Sequence, residues 1–191
     1  MRKLIAAMNM TLDGFCDHTS MNADDELHRH YNELLGNAGD LVYGRTTYQL
    51  MENYWPSVVK NPVDNKEMNE FALLIDNLSK VVFSHTLRGV QWKNSRLAKG
   101  SVQEEMQALK QSGNGNSGYI LVGSPSLIAA TLQLGLVDEF QICVQPIIVT
   151  KGLSLFTNIT GRIDMALLKT KTLSGTGSVV HYYKPGNSGE R

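Results

Sequence analysis

The feature that most constrains this chain is a repeated junction. A short apolar run ends on a glycine or small polar residue and passes at once into a helical segment. Asp40-Leu-Val-Tyr-Gly44 leads into Arg45-Thr-Thr-Tyr-Gln-Leu-Met51, and Tyr119-Ile-Leu-Val-Gly123 leads into Ser124-Pro125. Such runs are too short for helices and lack the alternation of a half-exposed strand, so they read as strands buried on both faces. Buried strands alternating with helices build a parallel sheet covered on both sides.

The remaining punctuation extends this pattern. Leu4 to Met10 is an apolar run that closes at the Asp13-Gly14 turn. From Asp24 to Ala38, Leu27, Tyr31, Leu34 and Leu35 recur at helical spacing, with Asn22 or Asp24 to cap the start and Gly39 to close the end. A polar helix over 65–76 precedes Lys80-Val-Val-Phe-Ser84, a buried strand, and Val90 to Asn94 alternates like a half-buried one. Ser101-Val-Gln-Glu104 fits a capping box, and Ser124-Pro125 supplies an N-cap and a first-turn proline for a helix closing near Gly135. Phe140 to Ile148 is a longer strand, and Leu167–Leu173 with Val179–Tyr183 forms a hairpin. The expected fold is a three-layer αβα domain over 1–185, with a mostly parallel mixed sheet, a C-terminal antiparallel hairpin and a flexible polar tail at 186–191.

Charge narrows the function classes. Eighteen Lys and Arg balance eighteen Asp and Glu, giving zero net charge. A general nucleic-acid binder carries a basic excess, so nucleic acid is not the expected partner. The basic-then-apolar start is broken at Asn9, too short for a signal or a membrane span. A cytoplasmic protein with no membrane partner is therefore expected. Cys16 and Cys143 lie in no ligand-like spacing, and His28 and His30, two apart on a helix, point to different faces, so no metal is expected.

An anionic ligand would then have to be held by local groups. Gly44-Arg45-Thr46-Thr47 begins a helix at a strand end, where free amides, the positive helix dipole and a forked guanidinium suit a phosphate; a plain capped helix with a surface arginine is the rival reading. Gly123-Ser124-Pro125-Ser126-Leu127 repeats the arrangement, and Ser84-His85-Thr86 ends a third strand. Together they line one sheet edge, where open α/β sheets bind ligands, and suit an extended phosphate-bearing ligand such as a dinucleotide. Gly113-Asn-Gly-Asn-Ser-Gly118 formally matches the dinucleotide fingerprint, but it follows a helix and precedes a strand, the reverse of what the motif needs. It reads as a turn. Asp24 falls on the apolar stripe of its helix, where a carboxylate could bind a polar substrate or relay a proton.

The motifs taken in order resemble the dihydrofolate reductase superfamily, and most nearly its single-domain members related to the C-terminal reductase domain of the riboflavin biosynthesis protein RibD. They are Met8-Asn-Met-Thr-Leu-Asp-Gly14, Tyr43-Gly-Arg-Thr-Thr-Tyr48, Asn53-Tyr-Trp-Pro56, Lys80-Val-Val-Phe-Ser84, Trp92-Lys-Asn-Ser95, Val122-Gly-Ser124, Gly135-Leu-Val-Asp-Glu139 and Pro146-Ile-Ile-Val-Thr-Lys-Gly152, the last running on to Leu155-Phe156. The resemblance implies NADPH as cofactor. Gly44, Arg45, Thr46 and Thr47 would take its phosphates, with Ser84 and His85 beside the adenosine 2′-phosphate. Gly123, Ser124, Ser126 and Leu127 would hold the pyrophosphate. Ala7 and the Met10–Gly14 loop would lie along the nicotinamide, with Asp13 and Asp24 nearest a small-molecule substrate. It also implies a homodimer.

Two departures bear on the substrate. Folate reductases carry a Gly-Gly pair where this chain has Gly123-Ser124, and their first-helix carboxylate falls here nearer His28 than any acidic residue. The expected reaction is hydride transfer from NADPH to a small polar heterocycle, pterin-like or ribosylaminopyrimidine-like. The rival is a non-catalytic nucleotide-binding homodimer with the same fold.

Overall fold

A computed structural model describes residues 1–113 and 117–186. The elements run β1 Leu4–Thr11, α1 Asp25–Gly36, β2 Ala38–Gly44, α2 Arg45–Lys60, α3 Lys66–Asn77, β3 Ser79–Phe83 and β4 Ser95–Leu97. They continue with α4 Val102–Gln111, β5 Tyr119–Val122, α5 Pro125–Gln133, β6 Glu139–Gln145, β7 Met165–Leu173 and β8 Ser178–Pro185. All the strands join one sheet in the order β4-β3-β2-β5-β1-β6-β8-β7. The pairings from β4 to β6 are parallel, and β8 pairs antiparallel with both β6 and β7. The mixed α/β fold is the one expected.

Alternation along the strands sorts the core into two faces. Leu4, Val42, Val81, Ile120 and Val122 face Met106 and Leu109 of α4 and Ile128 and Leu132 of α5. Ile5, Leu41, Tyr43, Val82 and Leu121 face α1, α2 and α3, among them Leu34, Tyr48 and Ile75. Three helices therefore lie on one side and two on the other. On the three-helix side, Leu27 of α1 also covers Cys143, Leu173, Val180 and Tyr182 at the hairpin end.

Several boundaries differ from expectation, each for a local reason. Val90–Asn94 is loop, and the edge strand is Ser95–Leu97. The alternation at 90–94 comes from Trp92, whose indole Nε1 donates to Asp76 at 2.7 Å and buries the ring without a strand partner. Gly39 does not close α1, which ends at Gly36 with Asn37 as its cap. Gly39 sits in β2, where a Cβ would overlap the Ser117 carbonyl oxygen and the Arg2 guanidinium. Close backbone approach, not helix termination, is why glycine stands there. β6 stops at Gln145 instead of reaching Ile148. The Gly113–Gly118 turn and the 186–191 tail fall largely on residues 114–116 and 187–191, outside the described residues.

The 90–94 loop is anchored by a buried lysine. Lys80, fully shielded from solvent, donates to the carbonyls of Asp76, Leu78 and Lys93 at 2.9–3.2 Å and lies 4.4 Å over the Trp92 ring. Burial pushes its ammonium down to about 8, against the pull of Asp76. Replacing Lys80 with Met should leave three carbonyls without this donor and cost about 2–4 kcal/mol in urea unfolding. A loss below about 0.5 kcal/mol would contradict the anchoring role.

His30 of α1 packs edge-on to Tyr31 and Tyr182, with ring centroids at 5.4 and 6.4 Å. Burial, and to a smaller extent Lys171 and Lys169, lowers its pKa to about 4. The folded chain thus keeps His30 neutral while the unfolded chain protonates it near 6.5, so stability falls as pH drops from about 6.5 to 4. His30→Phe should flatten that part of the pH–stability profile, read by denaturant midpoints at several pH values.

Candidate functional site

In the parallel region, β3, β2, β5 and β1 are consecutive neighbours, so their C-terminal ends share one sheet edge. That edge carries Ser84-His85 after β3, Gly44-Arg45 after β2, Gly123-Ser124 after β5 and the Thr11–Gly14 turn after β1. Residues between 30 and 113 positions apart in the chain are brought together as expected, because a crossover through a helix returns each parallel strand to the same end.

The helix starts at this edge differ from the others. Asp24, Asn65 and Ser101 cap α1, α3 and α4 with side-chain oxygens. Gly44 and Ser124, at the starts of α2 and α5, make no side-chain cap bond. The Ser124 hydroxyl is turned aside: its Oγ accepts from the Gly44 amide at 2.8 Å in a buried bond. That one contact joins the two helix starts and leaves the first-turn amides of both without a side-chain cap. Two positive helix ends side by side make an edge whose free amides are suited to an anion.

Around them, Arg45 and Thr46 are exposed and Thr47 is half-buried. Arg45 Nη1 donates to Thr86 Oγ1 at 2.9 Å, which holds the guanidinium against the turn after β3. Ser84 Oγ shapes that turn by accepting from the amides of Thr86 and Leu87 at 3.1 and 2.9 Å. Exposed His85 and Arg88 flank it. Ser126 is exposed, with its Oγ 3.5 Å from where a Gly44 Cβ would stand. Leu127 is buried in the α4–α5 core, so it can offer the site only its backbone.

Asp13 and Asp24 occupy definite structural places. Asp13 accepts from Thr11 Oγ1 at 2.7 Å and from the amides of Val149 and Thr150 at 3.1 and 2.7 Å. The Thr11 hydroxyl first, and then those amides, hold its carboxyl below the usual range. It ties the turn after β1 to the segment after β6; Leu12 N to Ile147 O at 2.9 Å and Cys16 N to Leu153 O at 2.8 Å reinforce the tie. Gly14 has φ +93°, a conformation that favours glycine and lets the turn close on Thr11. Asp24 is the N-cap of α1, its Oδ1 accepting from Leu27 N at 2.8 Å. Its other oxygen lies where a Cβ at Gly175 would stand, so the β7–β8 turn packs directly on it.

The sequence did not reveal two further anchors. Gln145, buried at the end of β6, grips the backbone of Asn22 with paired bonds of 2.9 Å. Tyr31 OH donates to Asn9 Oδ1 at 2.9 Å, fixing α1 over β1. Both pairs are too far apart in sequence for any local signal. Ala7 is buried between these elements and β6, beside Gln141 in register. His28 and His30 do face different neighbours, His28 meeting Phe71 edge-on at 6.1 Å.

Comparison with known proteins decides the family. The RibD C-terminal domain model matches residues 2–180. The chain belongs to the RibD C-terminal domain family. It is 28% identical over 186 residues, 95% of each chain, to the uncharacterized protein YyaP of Bacillus subtilis (strain 168). Among solved structures it resembles a putative riboflavin biosynthesis protein from Shewanella sp. PV-4, with TM-score 0.72, 18% identity and coverage of 98% and 100%. It also resembles the dihydrofolate reductase of Enterococcus faecalis complexed with NADP(H) and RAB-propyl, with TM-score 0.62, 13% identity and 97% of each chain covered. At these identities the two structures establish the shared fold.

The Ser124–Gly44 bond makes a direct expectation. Ser124→Ala removes the acceptor of a buried amide and should lower stability by about 1–2 kcal/mol. Chemical unfolding of the variant beside wild type measures it.

Proposed function

We propose that this member of the RibD C-terminal domain family is an NADPH-dependent reductase acting on a small polar heterocycle, pterin-like or ribosylaminopyrimidine-like. The observation that carries the reading is the pair of adjoining helix starts at Gly44 and Ser124, left without side-chain caps where the other three helices have them. The NADP(H) held by a reductase of the same fold, and the riboflavin-related relative, support the same class. The cytoplasm, where NADPH is abundant, suits this role.

The residues present fit such a cofactor. Amides of the first turns of α2 and α5 offer hydrogen bonds to a pyrophosphate, and Ser126 and Thr46 add hydroxyls. In this reading Arg45, braced by Thr86, and His85 read the 2′-phosphate. Bound NADPH supplies the hydride, so the chain needs no nucleophile of its own. Its residues position and exclude water: Ala7 gives a small, buried surface on β1, and the Asp13 clamp holds the 12–15 turn in place over the sheet end.

The engagement of both carboxylates favours a second reading, a nucleotide-binding module without turnover. Asp13 is held ionised by its donors and Asp24 is committed as a cap, so neither is a free proton donor in this arrangement.

Thermal-shift titration with NADPH and NADH tests the cofactor. NADPH at millimolar concentration should raise the melting temperature, more than NADH does; no shift with either overturns the proposal. Arg45→Ala should weaken NADPH roughly tenfold or more while NADH changes less, and equal losses would remove the 2′-phosphate assignment. Consumption of NADPH in the presence of a dihydropterin or a ribosylaminopyrimidine marks the enzyme. Binding without consumption across such substrates marks the module.

A further inference from the structure

The sheet has a notch at the edge of the candidate site. β5 ends at Val122, which pairs with Ala6 of β1 and Val42 of β2. β2 runs on to Gly44 beside β3, and β1 runs on to Thr11 beside β6. Ala7–Thr11 therefore has a strand neighbour on one side only, and Gly123-Ser124 forms the base of the gap. Ile5 and Ala7 turn their side chains to the α1–α3 side of the sheet, so alternation turns Asn9 and Thr11 the same way. Most polar groups on that stretch are spent. Thr11 Oγ1 donates to Asp13 at 2.7 Å and accepts from Phe15 N at 3.0 Å. Gln145, opposite Thr11, uses both ends of its amide on Asn22. Gln141, opposite Ala7, gives Nε2 to Glu139 and is 6% exposed. Asn9 is the exception. It is half-buried, and its Oδ1 accepts from Tyr31 OH at 2.9 Å, while its Nδ2 has no hydrogen-bond partner among the described residues.

We propose that the Asn9 amide reads the substrate, and that the substrate is an uncharged heterocycle presenting a ring carbonyl or imine nitrogen to it. This rests on the reductase reading, in which the nicotinamide lies along Ala7. Asn9 follows two residues on and on the same face, about 7 Å further along the strand, where a substrate facing the nicotinamide would meet it. Tyr31 sets which end of the amide is free. Burial raises its phenol far above the usual range, so the hydroxyl keeps its hydrogen and directs it to Oδ1. Nδ2 is then left to donate, and a donor selects an acceptor. The same surroundings disfavour a phosphate. Cys143 stands opposite Asn9 in register; burial chiefly, and the charge of Asp24 as well, push its thiol up to about 11. The start of α1 carries Asp24, Asp25 and Glu26 and is already capped, and Arg29 is paired with Glu67 at 3.1 Å. An anion meets repulsion on this side of the notch, unlike at the starts of α2 and α5.

The test is calorimetric binding to the full chain saturated with NADP+, which has no hydride to give. The probes are dihydrobiopterin and a ribosylaminouracil, the latter with and without a phosphate on its ribose. Wild type should bind an unphosphorylated probe, and the phosphorylated ribosylaminouracil more weakly than its unphosphorylated form. Asn9→Asp keeps the acceptor for Tyr31 but exchanges the free donor for an acceptor, and should raise the Kd of the bound probe on the order of a hundredfold. Asn9→Ala should raise it about tenfold, and Tyr31→Phe, which frees Oδ1 and lets the amide turn, roughly threefold to tenfold. Affinity for NADP+ should stay within about twofold of wild type in all three. On wild type, the side-chain amide signals of Asn9, assigned by NMR through the backbone, should move when the probe is added. Signals that stay in place at saturation overturn the proposal without reliance on any variant's folding. A probe bound equally by wild type, Asn9→Ala and Asn9→Asp removes Asn9 as the reader and leaves the reductase reading standing. Tighter binding of the phosphorylated form, or no unphosphorylated probe bound at millimolar concentration, overturns the substrate class while NADP+ binding stands. Failure to bind NADP+ itself overturns the reductase reading, and this proposal with it.

Discussion

The candidate site depends on one buried contact, the Gly44 amide donating to Ser124 Oγ at 2.8 Å. It spends a hydroxyl that would otherwise cap α5, and it draws the start of α2 against the start of α5. Hydrogen-bonding capacity at a helix start is finite: a side-chain oxygen that satisfies an amide also occupies the place of a ligand oxygen. α1, α3 and α4 have their caps and are structural. α2 and α5 forgo theirs, and they do so where parallel strands deliver them together at one edge. The same contact explains why Ser124 is buried while Ser126, two residues on, is exposed.

Around that edge the structure spends its polar groups on holding loops. Asp13 receives donors from both the β1 turn and the segment after β6, and Gln145 grips Asn22 ahead of α1. At the opposite end of the strands, Lys80 at the start of β3 collects three carbonyls and stacks over Trp92. Each is a buried or saturated polar group that costs desolvation and returns positional constraint. Together with buried Cys16, Trp92 and Leu155, these bonds fix the loops that join the strands and helices. The chain's neutrality follows the same logic: a few placed donors, not an overall field, face the edge where α2 and α5 begin.

Much of the fold was legible because it rests on local chemistry. The capping box at Ser101 and Glu104 and the first-turn proline at Pro125 are nearest-neighbour signals, and both stand where the sequence puts them. The strand–glycine–helix junctions at Gly44 and Gly123 are equally local. Where reading failed, a tertiary demand had taken over a residue with an ordinary local meaning. Gly39 looked like a helix stop but makes room for the backbone at Ser117. Trp92 looked like a strand residue but is buried by its bond to Asp76. Asp24 lay on the correct helix face, yet the sequence did not show that its carboxylate is shared between the cap and the β7–β8 turn.

By itself the sequence determined the alternation of buried strands and helices, the mixed sheet with its terminal hairpin, and the set of small and polar residues at the strand ends. Those follow from periodicity and caps, whose range is one turn of helix or one step of strand. Only the tertiary structure decided that Ser124 serves Gly44 instead of its own helix, that Arg45 leans on Thr86, and that Tyr31 binds Asn9. These are contacts across tens of residues, set by which elements the sheet order makes neighbours. No local pattern encodes them.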